Sequence, residues 1–468
     1  MEGKDRIHLI GVGGIGMSGI ANLLIDLDYE VSGSDLKDSE IIFKLRSKGA
    51  QIHIGHSAEN IEEVDIVVFS SAIPEDNPEL LEAKEKGLPI LKRAEMVAKL
   101  MKRQKGIAIS GTHGKTTTTS MLTTVLEKNN LDPTVLIGGE LDLINGNAKL
   151  GNGDYFITEA DESDGSLLFM DPETGVVTNI EADHLDYYGS KEAIKDTFIK
   201  FLNKLPATGT GIVCLDDEEI IEIVEEIDND LITYGLNDEA NLVAKDVELK
   251  KFGSISKIYY QGKKLGKLKL NVPGEHNLTN ALATIGIGLH IGLNFEEINS
   301  ALEEFIGVGR RFEKKGSYRG AVIVDDYAHH PTEIKATLKA TKNMNFDRII
   351  AIFQPHRYTR TQFLLEEFSK AFNDADEIII TDIYSAGETP IPGINSEKLV
   401  DLIKESTFTK VRLISELDEI YEYLKSMTEA GDLILTLGAG NIYKVGERLA
   451  SAQVGIELED SSELTMGV

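Results

Sequence analysis

The stretch "GTHGKTTTTS", Gly111 to Ser120, concentrates residue types suited to phosphate chemistry. The apolar run "GIAIS" precedes it and a helical pattern follows, so a strand feeds a glycine loop that opens a helix. Such a loop points backbone N–H groups at phosphate oxygens, and the helix N-terminus adds partial positive charge. Lys115 can reach the terminal phosphates and the Thr116 hydroxyl can ligate Mg²⁺. The common phosphate-loop pattern has four residues between its glycines. Here there are two, and Ile109 stands where the first glycine would be. Two acidic loops end later apolar runs. "EADESD" places Glu159, Asp161, Glu162 and Asp164 after "YFIT", and "EADHLD" places Asp183, His184 and Asp186 after "GVVTNI". Strand carboxyl ends are where α/β sheets bind ligands. A guanine-reading Asn-Lys-x-Asp is missing from "NKLP", which has Pro206 in the aspartate position.

A second glycine loop lies in "GVGGIGMSGIA". Gly11, Gly13 and Gly16 form G-x-G-x-x-G between a strand and a helix, with Asp35 ending the next strand. Alone this is a dinucleotide fingerprint and suggests a nicotinamide-dependent dehydrogenase. The same geometry serves any diphosphate, so it defines a pyrophosphate-sized site. A third cluster comes from "DDYAHHP" and "FQPHRYTRT". There Arg357 and Arg360 are spaced to grip one carboxylate, with His356 and Tyr358 on the same strand-end loop.

These loops need a frame of strands alternating with helices. "RIHLIG", "EVSGSD" and "VDIVVFSSAI" read as strands of a first unit over 1–105, with "GMSGIANLLIDL" as a helix between the first two. A central unit, 106–312, repeats the strand–loop–helix order. Hairpin-like alternation from Asn241 to Val272 predicts an antiparallel patch on it, and "GEHNLTNALATIGIGLHIGL" a buried helix. A third unit, 313–450, has the strands "AVIVDDYA", "RIIAIFQP", "EIIITDIY" and "DLILTLGAG". The segment 451–468 lacks periodicity and is expected to be a mobile tail. Alternating strands and helices imply parallel sheets with right-handed crossovers. The expected class is α/β with three domains: Rossmann-like N-terminal, P-loop ATPase-like central with a small antiparallel patch, and Rossmann-like C-terminal.

The 468 residues exceed one compact core. The net charge of −30 opposes nucleic acid or an anionic membrane as partner, while leaving small anions to local donors. Cys214 is the only cysteine, so no intrachain disulfide forms, and a reducing cytoplasm fits. The glycine-rich apolar stretch from Ile7 to Ile25 reads as strand, turn and helix rather than a membrane span or signal segment.

Assembled in order, "GVGGIGMSGIA", "SGSD", "SSAI", "GTHGKTTTTSM", "EADESD", "TNIEADHLDYYG", "VPGEHNLTNALA", "GVGRRF", "DDYAHHPTEI", "FQPHRYTRT", "DIYSAGE" and "GAGN" closely resemble the Mur ligase family of peptidoglycan synthesis, from Arg6 to Gly446. The resemblance implies ATP-dependent joining of L-alanine to the muramoyl carboxylate of UDP-N-acetylmuramate through an acyl phosphate. Mg²⁺ would be the cofactor and ATP the cosubstrate. One glycine loop would then serve the UDP-sugar and the other ATP. It implies that Gly111, Thr112, His113, Gly114, Lys115, Thr116 and Thr117 wrap the ATP phosphates. Thr116, Glu159 and His184 would surround magnesium, with Lys115, Glu159 and His184 catalytic. Asn277 and Asn280 would meet adenine, Arg311 the phosphates and Asp326 the ribose. Gly13, Gly14, Ile15, Gly16, Met17 and Ser18 would hold the UDP portion with Asp35 and the loop Ser70, Ser71, Ala72 and Ile73. Tyr327, His356, Arg357 and Arg360 would form the alanine pocket. A ligase adding a whole tripeptide to the same UDP-sugar is the rival within the family, and "FQPHRYTRT" with "EADESD" favours alanine. A dehydrogenase leaves "GTHGKTT" without a role.

Overall fold

The computed structural model describes residues 5–342 and 344–453. They form three α/β domains, each built on one sheet, and fall into two compact units. One unit holds the residues up to 247 with 255–270 and 277–308; the other holds 248–254, 271–276 and the chain from 309.

In the first sheet β1 (Arg6–Ile10), β2 (Glu30–Asp35), β3 (Gln51–Ile54), β4 (Ile66–Phe69) and β5 (Ile90–Lys92) run parallel in the order β3-β2-β1-β4-β5. Helices α1 (Ile15–Asp26), α2 (Glu40–Ser47), α3 (Pro78–Glu85) and α4 (Arg93–Met101) connect and follow them. β1 is central and its last four residues are wholly buried, as expected of a parallel strand covered on both faces. Its neighbours lead away in opposite directions, which opens a crevice at its carboxyl end, where Gly11 to Gly16 lie.

The second sheet has ten strands: β6 (Lys105–Ser110), β7 (Thr134–Leu141), β8 (Gly146–Lys149), β9 (Tyr155–Glu159), β10 (Thr174–Val177), β11 (Thr210–Cys214), β12 (Asp230–Gly235), β13 (Leu242–Lys250), β14 (Gly253–Tyr260) and β15 (Lys263–Leu270). Their order is β15-β14-β13-β12-β11-β10-β6-β9-β7-β8. Two-residue connections join β13, β14 and β15, which allows only antiparallel pairing. This is the patch expected between Asn241 and Val272. The second of these turns has Gln261 and Gly262 at φ 48° and 76°, the left-handed pair that hairpins favour. β6 sits between β10 and β9, so the loops after all three strands converge above it. Helix α5 (Lys115–Lys128) starts there. Helix α1 packs against β7 and β8, where a Cβ on Gly19 would stand 2.4 Å from Leu136 Cδ1. This close docking puts both glycine loops in one unit.

The third sheet, in the second unit, has β16 (Glu313–Tyr318), β17 (Ala321–Asp326), β18 (Arg348–Phe353), β19 (Glu377–Ile380), β20 (Lys410–Leu413) and β21 (Asp432–Leu437), ordered β16-β17-β21-β18-β19-β20. Only β16 is antiparallel to its neighbour. Every residue of β21 is buried, between two apolar clusters on the two faces. Of the segment expected to be a tail, residues 451–453 continue a helix, and 454–468 lie outside the described residues. Among the described residues no helix is long and apolar enough to cross a membrane.

Candidate functional site

The loop after β6 is built so that only glycine fits its two corners. Gly111 has φ 119°, and a Cβ on it would stand 2.1 Å from Thr178 Oγ1 and 2.8 Å from Thr178 N. Gly114 has φ 86° and begins α5 without a side-chain cap. A Cβ there would meet Asn280 Oδ1 at 2.5 Å. The loop's outer edge is pinned by the loop after β10. Asn179 accepts from Thr112 N at 3.1 Å through its backbone and from His113 N at 2.8 Å through its side chain, while Thr178 Oγ1 donates to His113 O at 2.6 Å.

Lys115 bends back over this loop. Its ammonium donates to Gly111 O, to Thr112 O at 3.0 Å and to Glu162 Oε1 at 2.9 Å. Burial disfavours the charge, but Glu162 and Asp161 outweigh it and hold the lysine above its ordinary pKa. Burial pushes the Glu162 carboxyl up to about 7 against the pull of Lys115. Thr116 Oγ1 donates to Glu159 Oε2 at 3.1 Å, and Gly138 N within β7 donates to Glu159 Oε1 at 2.6 Å. His184 lies on the loop after β10 in the left-handed region, φ 55°, with its Nε2 3.5 Å from Asp183 Oδ2. Asn277 and Asn280 are buried on the helix Glu275–His290, and Thr118 Oγ1 donates to Asn280 Oδ1 at 3.3 Å.

The loop after β1 is held from the β2 side. Ser34 O accepts from Gly11 N at 2.9 Å and Val12 N at 3.0 Å, and Asp35 Oδ2 accepts from Gly13 N at 2.9 Å. Helix α1 begins at Gly14 without a side-chain cap, which leaves its first amides open to an anion. Ser70 and Ile73 pack against Gly11, and Ser71 and Ala72 are exposed beside them. Met17 and Ser18 are buried, and the Ser18 hydroxyl donates to Ile15 O at 2.9 Å. Only their backbone is placed to meet a ligand. Beneath the loop lies a buried polar network. Glu79 accepts from Ser34 Oγ at 2.6 Å and Asn60 Nδ2 at 2.6 Å, with His56 Nδ1 at 3.0 Å and His8 Nε2 at 3.6 Å.

In the second unit Asp326 ends β17. Its carboxylate accepts from Ala328 N at 2.8 Å and Phe312 N at 3.0 Å, and burial pushes it up to about 6. The guanidinium of Arg311 lies 5.1 Å from the centre of the Tyr327 ring and 3.5 Å from Glu333. From Tyr327 a row of rings runs through His329 (5.3 Å), His356 (5.9 Å) and Tyr384 (5.6 Å). Arg360 Nη1 stands 3.4 Å from His356 Nδ1. Burial depresses His329 to about 3 and, with Arg360 and Arg357, His356 to about 4, so both rings are neutral at pH 7. Arg357 has φ 70° and an exposed side chain. Glu162, one of the strand-end acids, stands on Lys115, and residues that no motif singled out also stand here: Gly138 on Glu159, Asn179 on the loop after β6, His329 in the ring row, and Arg93 beside Gly16.

Three family models match the chain: "Mur ligase family, catalytic domain" over 6–105, "Mur ligase middle domain" over 109–288, and "Mur ligase, glutamate ligase domain" over 310–440. Among curated relatives, the UDP-N-acetylmuramate–L-alanine ligase of Geotalea daltonii is 50% identical over 450 residues, 96% of this chain and 98% of that protein. That of Pelotomaculum thermopropionicum is 50% identical over the same shares of both chains. A solved structure of the UDP-N-acetylmuramate–alanine ligase from Thermotoga maritima superposes with a TM-score of 0.82 at 31% identity, covering 98% of this chain and 100% of that one. A murein peptide ligase from Psychrobacter arcticus shares the fold, with a TM-score of 0.71 at 24% identity over 96% of this chain and 98% of its own.

Proposed function

We propose, since the chain belongs to the Mur ligase family, that it joins L-alanine to the muramoyl carboxylate of UDP-N-acetylmuramate at the expense of ATP, in the cytoplasm. One structural observation carries the reading: two glycine loops, each opening an uncapped helix, lie in one compact unit. A dehydrogenase has work for one of them. A ligase activating a UDP-linked acid with ATP has work for both.

In this reading residues 1–105 hold the UDP-sugar, 106–312 hold ATP and 313–450 bring the amino acid. Gly111 to Thr117 wrap the ATP phosphates, with Lys115 on the γ-phosphate. Asn277 and Asn280 meet adenine, and Arg311 and Asp326 meet phosphates and ribose. Gly13 to Ser18 bind the diphosphate with Asp35 and the Ser70–Ile73 loop. Tyr327, His356, Arg357 and Arg360 form the alanine pocket.

The residues around Thr116 fit Mg²⁺. Its hydroxyl and the Glu159 carboxylate offer two hard oxygens 3.1 Å apart at the mouth of the phosphate loop, with His184 assigned beside them. Bound there, the ion would offset charge between an attacking carboxylate and the γ-phosphate. The chain's own part is positional and electrostatic. Lys115 leaves Glu162 for the γ-phosphate and takes up charge as it transfers. Loop amides fix the remaining phosphates. The muramoyl carboxylate attacks the γ-phosphorus, giving acyl phosphate and ADP. Arg357 and Arg360 hold alanine by its carboxylate, and its amine attacks the acyl carbon as phosphate departs. Fixing three substrates supplies the orientation term.

The test is phosphate release from ATP, Mg²⁺ and UDP-N-acetylmuramate with and without L-alanine, alongside the tripeptide and Lys115→Ala. Release that requires L-alanine and vanishes in the variant is expected. Release with the tripeptide alone would move the chain to the tripeptide-adding reaction, and no release at all would sink the ligase reading.

A further inference from the structure

Arg93 joins the two glycine loops, and no motif marks it. It begins α4 at the end of β5, and its side chain lies across the first turn of α1. A Cβ on Gly16 would stand 3.4 Å from Arg93 Cδ and 3.5 Å from Nη1. The other end of the guanidinium faces the second sheet, where Nη2 donates to Asp161 Oδ2 at 3.0 Å. Asp161 adjoins Glu162, the partner of Lys115. A chain of charge therefore runs from the α1 loop through Arg93, Asp161 and Glu162 to the α5 loop. A cavity of about 350 Å³ opens beside it, lined in part by Ser71, Ile73, Arg93, Asp164, Ser166 and Tyr187.

A UDP-linked acid whose diphosphate sits at α1 and whose carboxylate reaches ATP at α5 must pass this gap. The α5 side is anionic, with Glu159 ending β9 and Asp161, Glu162 and Asp164 on the loop after it, so an incoming carboxylate needs a side-chain cation there in addition to the ion proposed at Thr116 and Glu159. Lys115 is committed to the phosphate loop, and the Lys92 ammonium lies over the Phe169 ring, 5.8 Å from its centre. Arg93 keeps a quarter of its side chain exposed, and Asp161 more than a third, so the pair is open to exchange. A guanidinium matches a carboxylate in two parallel hydrogen bonds.

We propose that Arg93 binds the reacting carboxylate of the sugar substrate, exchanging Asp161 for it, and so selects the sugar acid over its neutral analogue. This rests on the function proposed above. The experiment titrates UDP-N-acetylmuramate and UDP-N-acetylglucosamine, which lacks the lactyl carboxylate, into the full chain with a non-hydrolysable ATP analogue. Arg93→Gln is expected to weaken muramate binding about tenfold or more and leave the glucosamine compound unchanged. Equal loss for both would assign Arg93 to the diphosphate, and no loss for either would leave it structural; each overturns the proposal. Asp161→Asn guards against misfolding of the first variant. It removes the competing carboxylate, so muramate binding should tighten with the glucosamine compound unmoved, and a weakening would overturn the proposal. Alanine-dependent phosphate release by the unaltered protein runs in parallel. Its absence would fail the function and the inference together, whereas its presence with unselective loss in Arg93→Gln would fail the inference alone.

Discussion

Replacing Gly111 by alanine should disable the proposed ATP loop by an amount that can be worked from the contacts. The left-handed backbone alone costs an L-residue about 1–2 kcal/mol. The added Cβ also meets Thr178 Oγ1 at 2.1 Å and the Thr178 backbone nitrogen at 2.8 Å. The hydroxyl cannot yield freely, because it is engaged with His113 O at 2.6 Å and Ser110 O at 3.2 Å, and those contacts are worth about 1 kcal/mol each. The total is about 3–4 kcal/mol, visible as lost stability or as ATP affinity lowered roughly 100- to 1000-fold. Gly262→Ala is the control. That turn residue also has φ in the left-handed region, at 76°, but nothing lies within 4 Å of its Cβ position, so it carries the backbone term alone. The assay is thermal unfolding with and without an ATP analogue, reading the transition that nucleotide displaces, plus direct nucleotide titration. If Gly111→Ala matched Gly262→Ala in both, the steric account of this loop would be wrong.

Glu159→Gln keeps a carbonyl for Gly138 N but removes the charge beside Thr116, so alanine-dependent phosphate release should fall at least about 100-fold with the thermal midpoint nearly unchanged. Burial raises the Glu79 carboxyl, yet His8, Ser34 and Asn60 outweigh it and hold it at about 2 against an ordinary 4.5. Its stabilisation is present above pH 4.5 and lost as pH falls towards 2, so acid unfolding of Glu79→Gln should be flatter over that window and its midpoint lower at pH 7. The depressed imidazoles His329 and His356 remain neutral in the fold while the unfolded chain protonates near 6.5. Stability of their unit should be full above pH 6.5 and decline as pH falls towards 4, with a smaller decline in His329→Gln, read as thermal midpoint against pH.

The buried parallel strands were legible because each is an apolar run ending at a loop that carries one of the motifs. β1, β6, β18 and β21 are such runs, and burial on both faces leaves little else for them to be. Short edge strands were not. β3, "QIHI", is mostly exposed, and β20, "KVRL", alternates exposed with half-buried residues, so neither carries a core signal over four residues. The phosphate loop and Glu159 came from strand-end motifs. Arg93 did not, because its place depends on α4 and α1 meeting across 77 residues of sequence. Glu162 and Asp161 were visible as acids in a loop, but only the fold separates the two that pair with cations from Asp164, which accepts from Ser166 N at 3.1 Å. Met17 and Ser18 show the converse: a motif marks the turn, while the packing of α1 decides that their side chains face inward.

The charge balance explains how so acidic a chain can bind anions. At a net −30 its long-range field repels ATP and the UDP-linked acid, so attraction must come from cations in place at each site. Those cations are not left alone. Lys115 rests on Glu162, Arg93 on Asp161 and Arg311 on Glu333. An unpaired half-buried cation would be costly to hold, and the acidic partner meets that cost while fixing the side chain near its working position. A phosphate or carboxylate arriving there exchanges one ion pair for another, so the desolvation of the cation is largely settled before it binds. An incoming anion must then outcompete a carboxylate already in place, which favours ligands whose geometry improves on the resting pair. A phosphate loop supplies such geometry through its aligned amides. At Arg93 the same advantage belongs to a carboxylate anchored by its own diphosphate.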